Sequence, residues 1–523
     1  MLRHRFLLTA ILLAQIVGCR TVPDRLARHQ KMRVPARTAH LFIVDGFQRD
    51  ALWEMLEANE LPNIQSLFVD QGTTIERIVV QLPSLTYPNI ASLLTGEPPA
   101  EHGILGNQWF DPRTLEFVDY GSAGTYTSVN THLDEETLHE EIETGWTANV
   151  QCHTYRGADF VENFPTLTGM RWVTGNLAGV NRQAASGIQE VANEANRRHE
   201  WPTLVVQYFP GVDEAAHRFG PASDVYREVI RELDAQIGAV VRTVQMTVPE
   251  SNMLFVLATD HSHVESPIAR RIDFLAELSK RTKLRISNSG PSGGTHGARR
   301  RALRNVDAVC CFSNRVANIH LPRGADWHDR WVPLDDARAS VRERAAAVMT
   351  ALLDIPAVDL VCTRVDDDAV QVQSRRGTAL LRKRMIHEDG LDFDRVYAYE
   401  PVAGDPLRYQ EMLMPAGARD VRLSRRAWLR ESIATDYPDF VPQILELMES
   451  PRAGDILVFA ADDWSFIPKE PGGHGSARAS DCVVTCFLRG GTWGAGVRET
   501  TPQRSTEIAE WIDDHVEAED EDD

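Results

Sequence analysis

From about residue 39 onward, apolar residues gather in short continuous runs, each closed by turn-forming or charged residues. Such runs predict strands around 40–45, 76–82, 148–153, 203–209, 253–259, 455–460 and 482–488. Strands that are apolar throughout, rather than on alternate residues, imply a sheet covered on both faces. The clearest helix spans about 224–245, where Ile230, Leu233, Ile237, Val241 and Val244 recur every three or four residues and mark one buried face. Strand–helix alternation makes the sheet largely parallel, so the predicted class is α/β, a central sheet flanked by helices.

Between 263 and 450 the pattern weakens into a stretch rich in Arg and Gly. SNSGPSGGTHGARRR (287–301) reads as a loop, while NRVANIHLP and DLVCTRV read as short strands of an inserted, smaller α+β subdomain. The core would then run over 38–262 and close over 451–512. A chain of 523 residues fits such an insertion as well as two separate domains. Residues 513–523 read as a solvated acidic tail.

At the N-terminus, Arg3, His4 and Arg5 precede an apolar run from Phe6 to Val17, too short for a permanent membrane span. Ile16-Val17-Gly18-Cys19 resembles the lipobox of bacterial lipoproteins. This predicts a signal peptide over 1–18, a lipid anchor on Cys19, a basic tether over 19–37 and export to the periplasm or outer membrane. A plain cleaved signal with an incidental Cys is the blander alternative. The other six cysteines form no CxxC pair, which argues against a thiolate metal site. A formal charge of −20 excludes a general nucleic-acid groove but not a small phosphate substrate beside bound cations.

Candidate chemistry lies just past the apolar runs. Asp45 ends LFIVDG, Asp213 and His217 stand four apart in PGVDEAAHRFGP, and Asp260 and His261 are adjacent after LFVLAT. Ligands of such sheets gather at the carboxyl ends of the strands, where these residues fall. Carboxylates mixed with imidazoles suit Zn²⁺ better than Ca²⁺ or Mg²⁺. Two such ions about 4 Å apart clamp the attacking and leaving oxygens of a phosphoryl group, which makes the chain a two-metal hydrolase.

In PSLTYPNIASLLTGEPPAEHGILGN, Thr86 precedes Pro88 at the predicted start of a helix. The helix dipole and free amides there favour phosphate and a developing alkoxide. On local sequence alone Thr86 reads more simply as an N-cap.

The same stretch resembles the TFPN…TG…P..HGI..N segment of the nucleotide pyrophosphatase/phosphodiesterase branch of the alkaline phosphatase superfamily. That resemblance implies an alkaline phosphatase-like fold, with Thr86 as a metal-bound nucleophile and Asn107 as donor to a non-bridging phosphate oxygen. It implies that Asp45, Asp260, His261 and Thr86 hold one zinc, and that Asp213, His217 and His474 of PGGHGS hold a second. His296 in GTHGA is the competing late histidine, with the weaker strand context. The chain departs from the branch after its Asp-His pair, where Ser262 replaces the usual Gly and His263 follows. His263 reads as a histidine that supports a ligand or lies on the surface. The implied function is a zinc-dependent phosphodiesterase or nucleotide pyrophosphatase that uses a phospho-threonine intermediate on a small phosphoric ester. The alternatives are a phosphomonoesterase and a catalytically dead surface binding lipoprotein.

Overall fold

The computed structural model describes residues 32–122, 124–290, 293–322, 327, 339–386, 394–414 and 418–518. The signal segment, Cys19 and residues 519–523 lie outside these. Among the described residues, no helix is long and apolar enough to cross a membrane.

The first strand, Thr38–Val44, is buried along its whole length. Its side chains alternate between two cores. Leu41 and Ile43 face one, while Phe42 and Val44 face the other. A strand covered twice must be apolar on both sides, which is why its run is continuous. It pairs in parallel with Met253–Thr259 on one side and Leu204–Phe209 on the other. Thr147–Val150 and Phe160–Glu162 extend the parallel order outward. On the opposite flank Val483–Gly490 is reversed, and Thr73–Val79 follows it. With two short edge strands, this sheet has nine strands. One of its cores is closed by the helices Leu177–Arg198 and Asp224–Gln245. The latter has the bounds that its periodicity predicts.

The second sheet is larger than the sequence suggests. It also has nine strands, all antiparallel except one edge pair. The predicted strand at 455–460 exists as Ile456–Ala460, but it belongs to this second sheet, between Val316–His320 and Val358–Asp366. The insert therefore builds most of the second sheet, and Ile456–Ala460 completes it. Its long hairpin, Gly377–Ile386 with Asp394–Gly404, carries Arg and Lys on a partly solvated face, so it shows no continuous apolar run. One core joins the two sheets, with Leu41, Val256 and Val206 from the first and Leu360, Val372 and Leu381 from the second in a single cluster.

Three smaller readings change. Residues 287–301 include the start of a short helix, His296–Ala302. The acidic segment from 513 begins inside the helix Glu507–Glu517, with Ile512 and His515 buried and Asp514 and Glu517 exposed. The end of the tether is pinned, because Arg33 N–H donates to the His199 carbonyl and Met32 and Val34 pack on the core.

Candidate metal centre

Asp45 and Asp260 each follow directly on a parallel strand, and the register pairs Val44 with Thr259, so the two carboxylates emerge side by side. The third parallel strand leads into the helix Gly211–Phe219, where i, i+4 spacing places Asp213 and His217 on one face. Thr86 is the first residue of the helix Thr86–Thr95. The N-cap is Leu85, which makes no side-chain cap, so Thr86 is not a capping residue. His474 sits in the loop between Ile456–Ala460 and Val483–Gly490. Those strands belong to different sheets.

These elements bring the predicted residues into two adjoining sets. In the first, His261 Nε2 lies 3.2 Å from Thr86 Oγ1, 3.3 Å from Asp45 Oδ1 and 3.4 Å from Asp260 Oδ2. In the second, His217 Nε2 lies 3.2 Å from His474 Nε2 and 3.3 Å from Asp213 Oδ1, and the last two are 3.6 Å apart. The His261 and His474 rings stack at 3.5 Å where the sets meet. Donors at about 2.0–2.1 Å from one tetrahedral ion stand roughly 3.3 Å from each other, the spacing found in both sets.

The donor atoms are prepared for a cation. Asp45 Oδ1 and Asp260 Oδ2 are buried without a hydrogen-bond partner, a costly state unless an ion meets them. The other Asp45 oxygen accepts from the Tyr208 hydroxyl, and Asp260 Oδ1 accepts from the backbone of Gly46 and His261. The three histidines are oriented alike. Nδ1 faces a backbone carbonyl in each, Gly472 for His217, Ser262 for His261 and Ser84 for His474, at 3.2, 3.1 and 3.0 Å. Donation from Nδ1 turns Nε2 of each ring into the site.

Electrostatics agree at every group of the two sets except His217. Burial, then repulsion from Asp260 and Asp213, push the Asp45 carboxyl well above its usual range. Burial, with Asp213 adding to it, raises Asp260 to about 7. Burial also lowers His261 to about 3 and His474 well below the usual imidazole value, so both are neutral, as ligands must be. Asp213 behaves oppositely: burial opposes its ionisation, but His217 and His263 outweigh this and hold it well below the usual carboxyl range. His217 is the exception among the imidazoles: burial opposes its charge, but Asp213 and Glu470 outweigh this and hold it well above the usual imidazole value, so a metal at that set must displace its proton. Crowded, buried carboxylates beside these imidazoles fit a pair of dications.

Asn107 is half-buried beside Thr86. Its Oδ1 accepts from the Tyr87 backbone N–H at 3.1 Å, which leaves its amide NH₂ as the donor end. His296 is exposed at the start of its short helix and belongs to neither set. His263 is not a surface residue. It is 1% exposed, with Nε2 at 2.6 Å from Asp213 Oδ1. Ser262 is buried, and its N–H donates to the Asp481 carbonyl.

Several contributors escape sequence reasoning. Asn89 holds the turn before Thr86, accepting from Gln81 N–H and donating to the carbonyls of Gln81, Pro83 and Leu85. Glu470 lies 3.3 Å from His217 Nδ1. Arg315 and Asp481 form a fully buried pair, and Asp481 accepts from Ser476 N–H two residues past His474. Only Asn89 carried a signal, through its place in the TYPN motif.

Comparison with known proteins follows the same lines. The family described as type I phosphodiesterase / nucleotide pyrophosphatase matches residues 40–322. An uncharacterized pyrophosphatase/phosphodiesterase of Schizosaccharomyces pombe is 25% identical over 304 residues, 56% of this chain and 57% of that protein. The bis(5′-adenosyl)-triphosphatase of Bos taurus is 22% identical over 227 residues, 42% of this chain and 45% of its own length. The chain thus spans about half the length of these curated relatives. Murine ectonucleotide pyrophosphatase/phosphodiesterase 5 shares the fold, with a TM-score of 0.56 at 13% identity over 92% of this chain and 96% of that one. An inactive threonine-to-alanine form of the murine protein, solved in complex with AMP, matches equally well. With more than half of its length matched by the family pattern, the chain belongs to the type I phosphodiesterase / nucleotide pyrophosphatase family.

Proposed function

We propose that the chain is a zinc-dependent phosphodiesterase or nucleotide pyrophosphatase in which Thr86 is the nucleophile. The observation that carries this reading is the convergence of Thr86 Oγ1 with Asp45, Asp260 and His261 at ligand spacing, beside a second set built from Asp213, His217 and His474. The mixture of carboxylates and imidazoles at roughly tetrahedral separation favours zinc over harder cations. When bound, a pair of zinc ions supplies the Lewis acidity that lowers the Thr86 hydroxyl pKa and offsets the charge of the phosphoryl group.

The remaining chemistry belongs to the chain. Thr86 Oγ attacks phosphorus at the start of its helix, where the dipole favours negative charge. As the Thr86 O–P bond forms, the bond to the leaving alcohol or phosphate breaks, and Thr86 carries the phosphoryl ester. Asn107 donates its amide N–H to a non-bridging oxygen, a contact that tightens as charge grows there. Water then displaces Thr86 from phosphorus and restores its hydroxyl.

Preference for a diester follows from the single amide donor. Among the described residues, no Arg or Lys side chain hydrogen-bonds to Thr86 or Asn107. A nucleotide ester or pyrophosphate is the substrate class suggested by the names of the relatives and by the AMP-bound neighbour. The N-terminal sequence supports export and anchoring through Cys19, and Cys19→Ser is then expected to release the protein from membranes.

Release of p-nitrophenol from bis(p-nitrophenyl) phosphate and from p-nitrophenyl phosphate tests the assignment. Faster turnover of the diester is expected. Faster monoester turnover makes the chain a phosphomonoesterase, and metal-loaded protein that turns over neither makes it a binding protein.

A further inference from the structure

We propose that His263 is a positioning residue for the second set: its Nε2–H donates to Asp213 Oδ1 and fixes the carboxylate in the orientation that faces His217 and His474. The inference rests on the two-metal reading above.

Proximity alone admits another role. His263 offers a nitrogen within 4.8 Å of donors on Asp213, His261 and His474, close enough for it to be counted as a ligand. Two features of the geometry decide against ligation through Nε2. The first is spacing. Co-ligands in these sets stand 3.2–3.6 Å apart, whereas His263 Nε2 is 2.6 Å from Asp213 Oδ1. That is a charge-assisted hydrogen bond, too short for two donors on one tetrahedral ion. The second is the tautomer. His217, His261 and His474 all turn Nδ1 to a carbonyl and Nε2 into the site. His263 reverses this. Its Nδ1 is buried with no partner, and its Nε2 meets a carboxylate, which requires a proton on Nε2. A nitrogen that carries a proton is not a ligand.

The surroundings are built to hold the ring. Gly46, in the turn after Asp45, has φ +62°, and a Cβ there would come within 2.8 Å of His263 Cδ2 and 2.9 Å of Asp213 Oδ1. The glycine thus leaves the space in which ring and carboxylate meet. Behind the ring, Gln48 Nε2 donates to the His263 carbonyl at 2.9 Å. The next two residues pair with the His474 loop, Val264 opposite Gly473 and Glu265 opposite Gly472. One short segment therefore fixes the Asp213 carboxylate through its side chain and the approach of His474 through its backbone. Asp213, on a helix rather than a strand end, lacks the backbone amides that orient Asp260. His263 fills that role.

Zinc affinity measured by competition with a chromophoric chelator tests the proposal, with the circular dichroism of the metal-free protein as the check on folding. Wild type is expected to bind two zinc ions. His263→Ala should keep its fold and its first site, while the affinity of the second falls about 10–100-fold, the scale for removing a group that orients a ligand. His263→Gln, whose amide can also donate to Asp213, should recover most of that loss. If the alanine variant does not fold, His263→Phe, which refills the volume without a donor, takes its place. Unchanged affinity at both sites in the alanine or phenylalanine variant overturns the proposal. So does loss of one nitrogen from the zinc coordination shell by X-ray absorption, because that makes His263 a ligand. Wild type that binds no zinc contradicts the two-metal reading instead.

Discussion

The two proposed ligand sets use the same side-chain chemistry but obtain their rigidity from different sources. Asp45, Asp260 and His261 stand at the ends of two adjacent parallel strands, so backbone register places them. Asp213, His217 and His474 come from a helix and a late loop, with the two histidines 257 positions apart. Side chains and short bridges brace that set. Glu470 lies on His217, the Ser84 carbonyl accepts from His474, and the Ser84 hydroxyl donates to the Ser476 carbonyl. Deeper, Arg315 grips Asp481 while donating to the carbonyls of Ala461 and Trp464, so the second sheet holds the loop that carries His474. The first set is fixed by the sheet, and the second is fixed by bracing across two sheets.

If this contrast is right, changes to the two sets should differ in kind. Thr86→Ala removes the nucleophile without touching either set's carboxylates or imidazoles. Turnover should fall by about 10⁴-fold or more with both metals retained, and Thr86→Ser should keep part of it. Steady-state rates with metal analysis check this, and near-normal kcat in the alanine variant would remove Thr86 from the chemistry. Next in size, His474→Ala should lose about one zinc and most activity, while His296→Ala keeps both ions. The opposite outcome would move the ligand to the exposed helix. Asn107→Ala should cost roughly 10²–10³-fold in kcat, and a loss below about tenfold would give the oxyanion role to another group.

The bracing itself can be broken in isolation. Arg315→Met leaves Asp481 buried without its cation, which should cost about 3–5 kcal/mol of stability by denaturant titration. In the folded fraction, zinc affinity should drop at the second set and hold at the first. Equal weakening at both would mean that the second sheet supports the whole centre. The smallest effect concerns the first set without metal. The Asp260 carboxyl, raised to about 7 in the fold, favours its protonated form there. The penalty for ionising it is absent near pH 4, grows as pH rises and is complete above about 7. Metal-free Asp260→Asn should therefore melt above metal-free wild type at pH 8, with the gap closing toward pH 4.

The same contrast explains what could be read in advance. Asp45 and Asp260 were legible because each closes a continuous apolar run, and such runs mark strands covered on both faces. Asp213 and His217 were legible through helical spacing, and Thr86 and Asn107 through motif resemblance. The braces were not. Tyr208 meets Asp45 across 163 positions, and Arg315 meets Asp481 across 166, with no local pattern to announce either pair. The size of the second sheet was hidden for a related reason, since its hairpins interleave Arg, Lys and Glu with their apolar positions. His263 fell between the two cases: the sequence exposed its departure from the family pattern but could not aim its ring.

The most direct test of the account is the zinc content of the purified protein, measured together with hydrolysis of bis(p-nitrophenyl) phosphate before chelation, after it and on restoring zinc. Close to two zinc ions per chain, loss of turnover on chelation and its return with zinc are the predicted results. Full turnover by metal-free protein would contradict the two-metal centre.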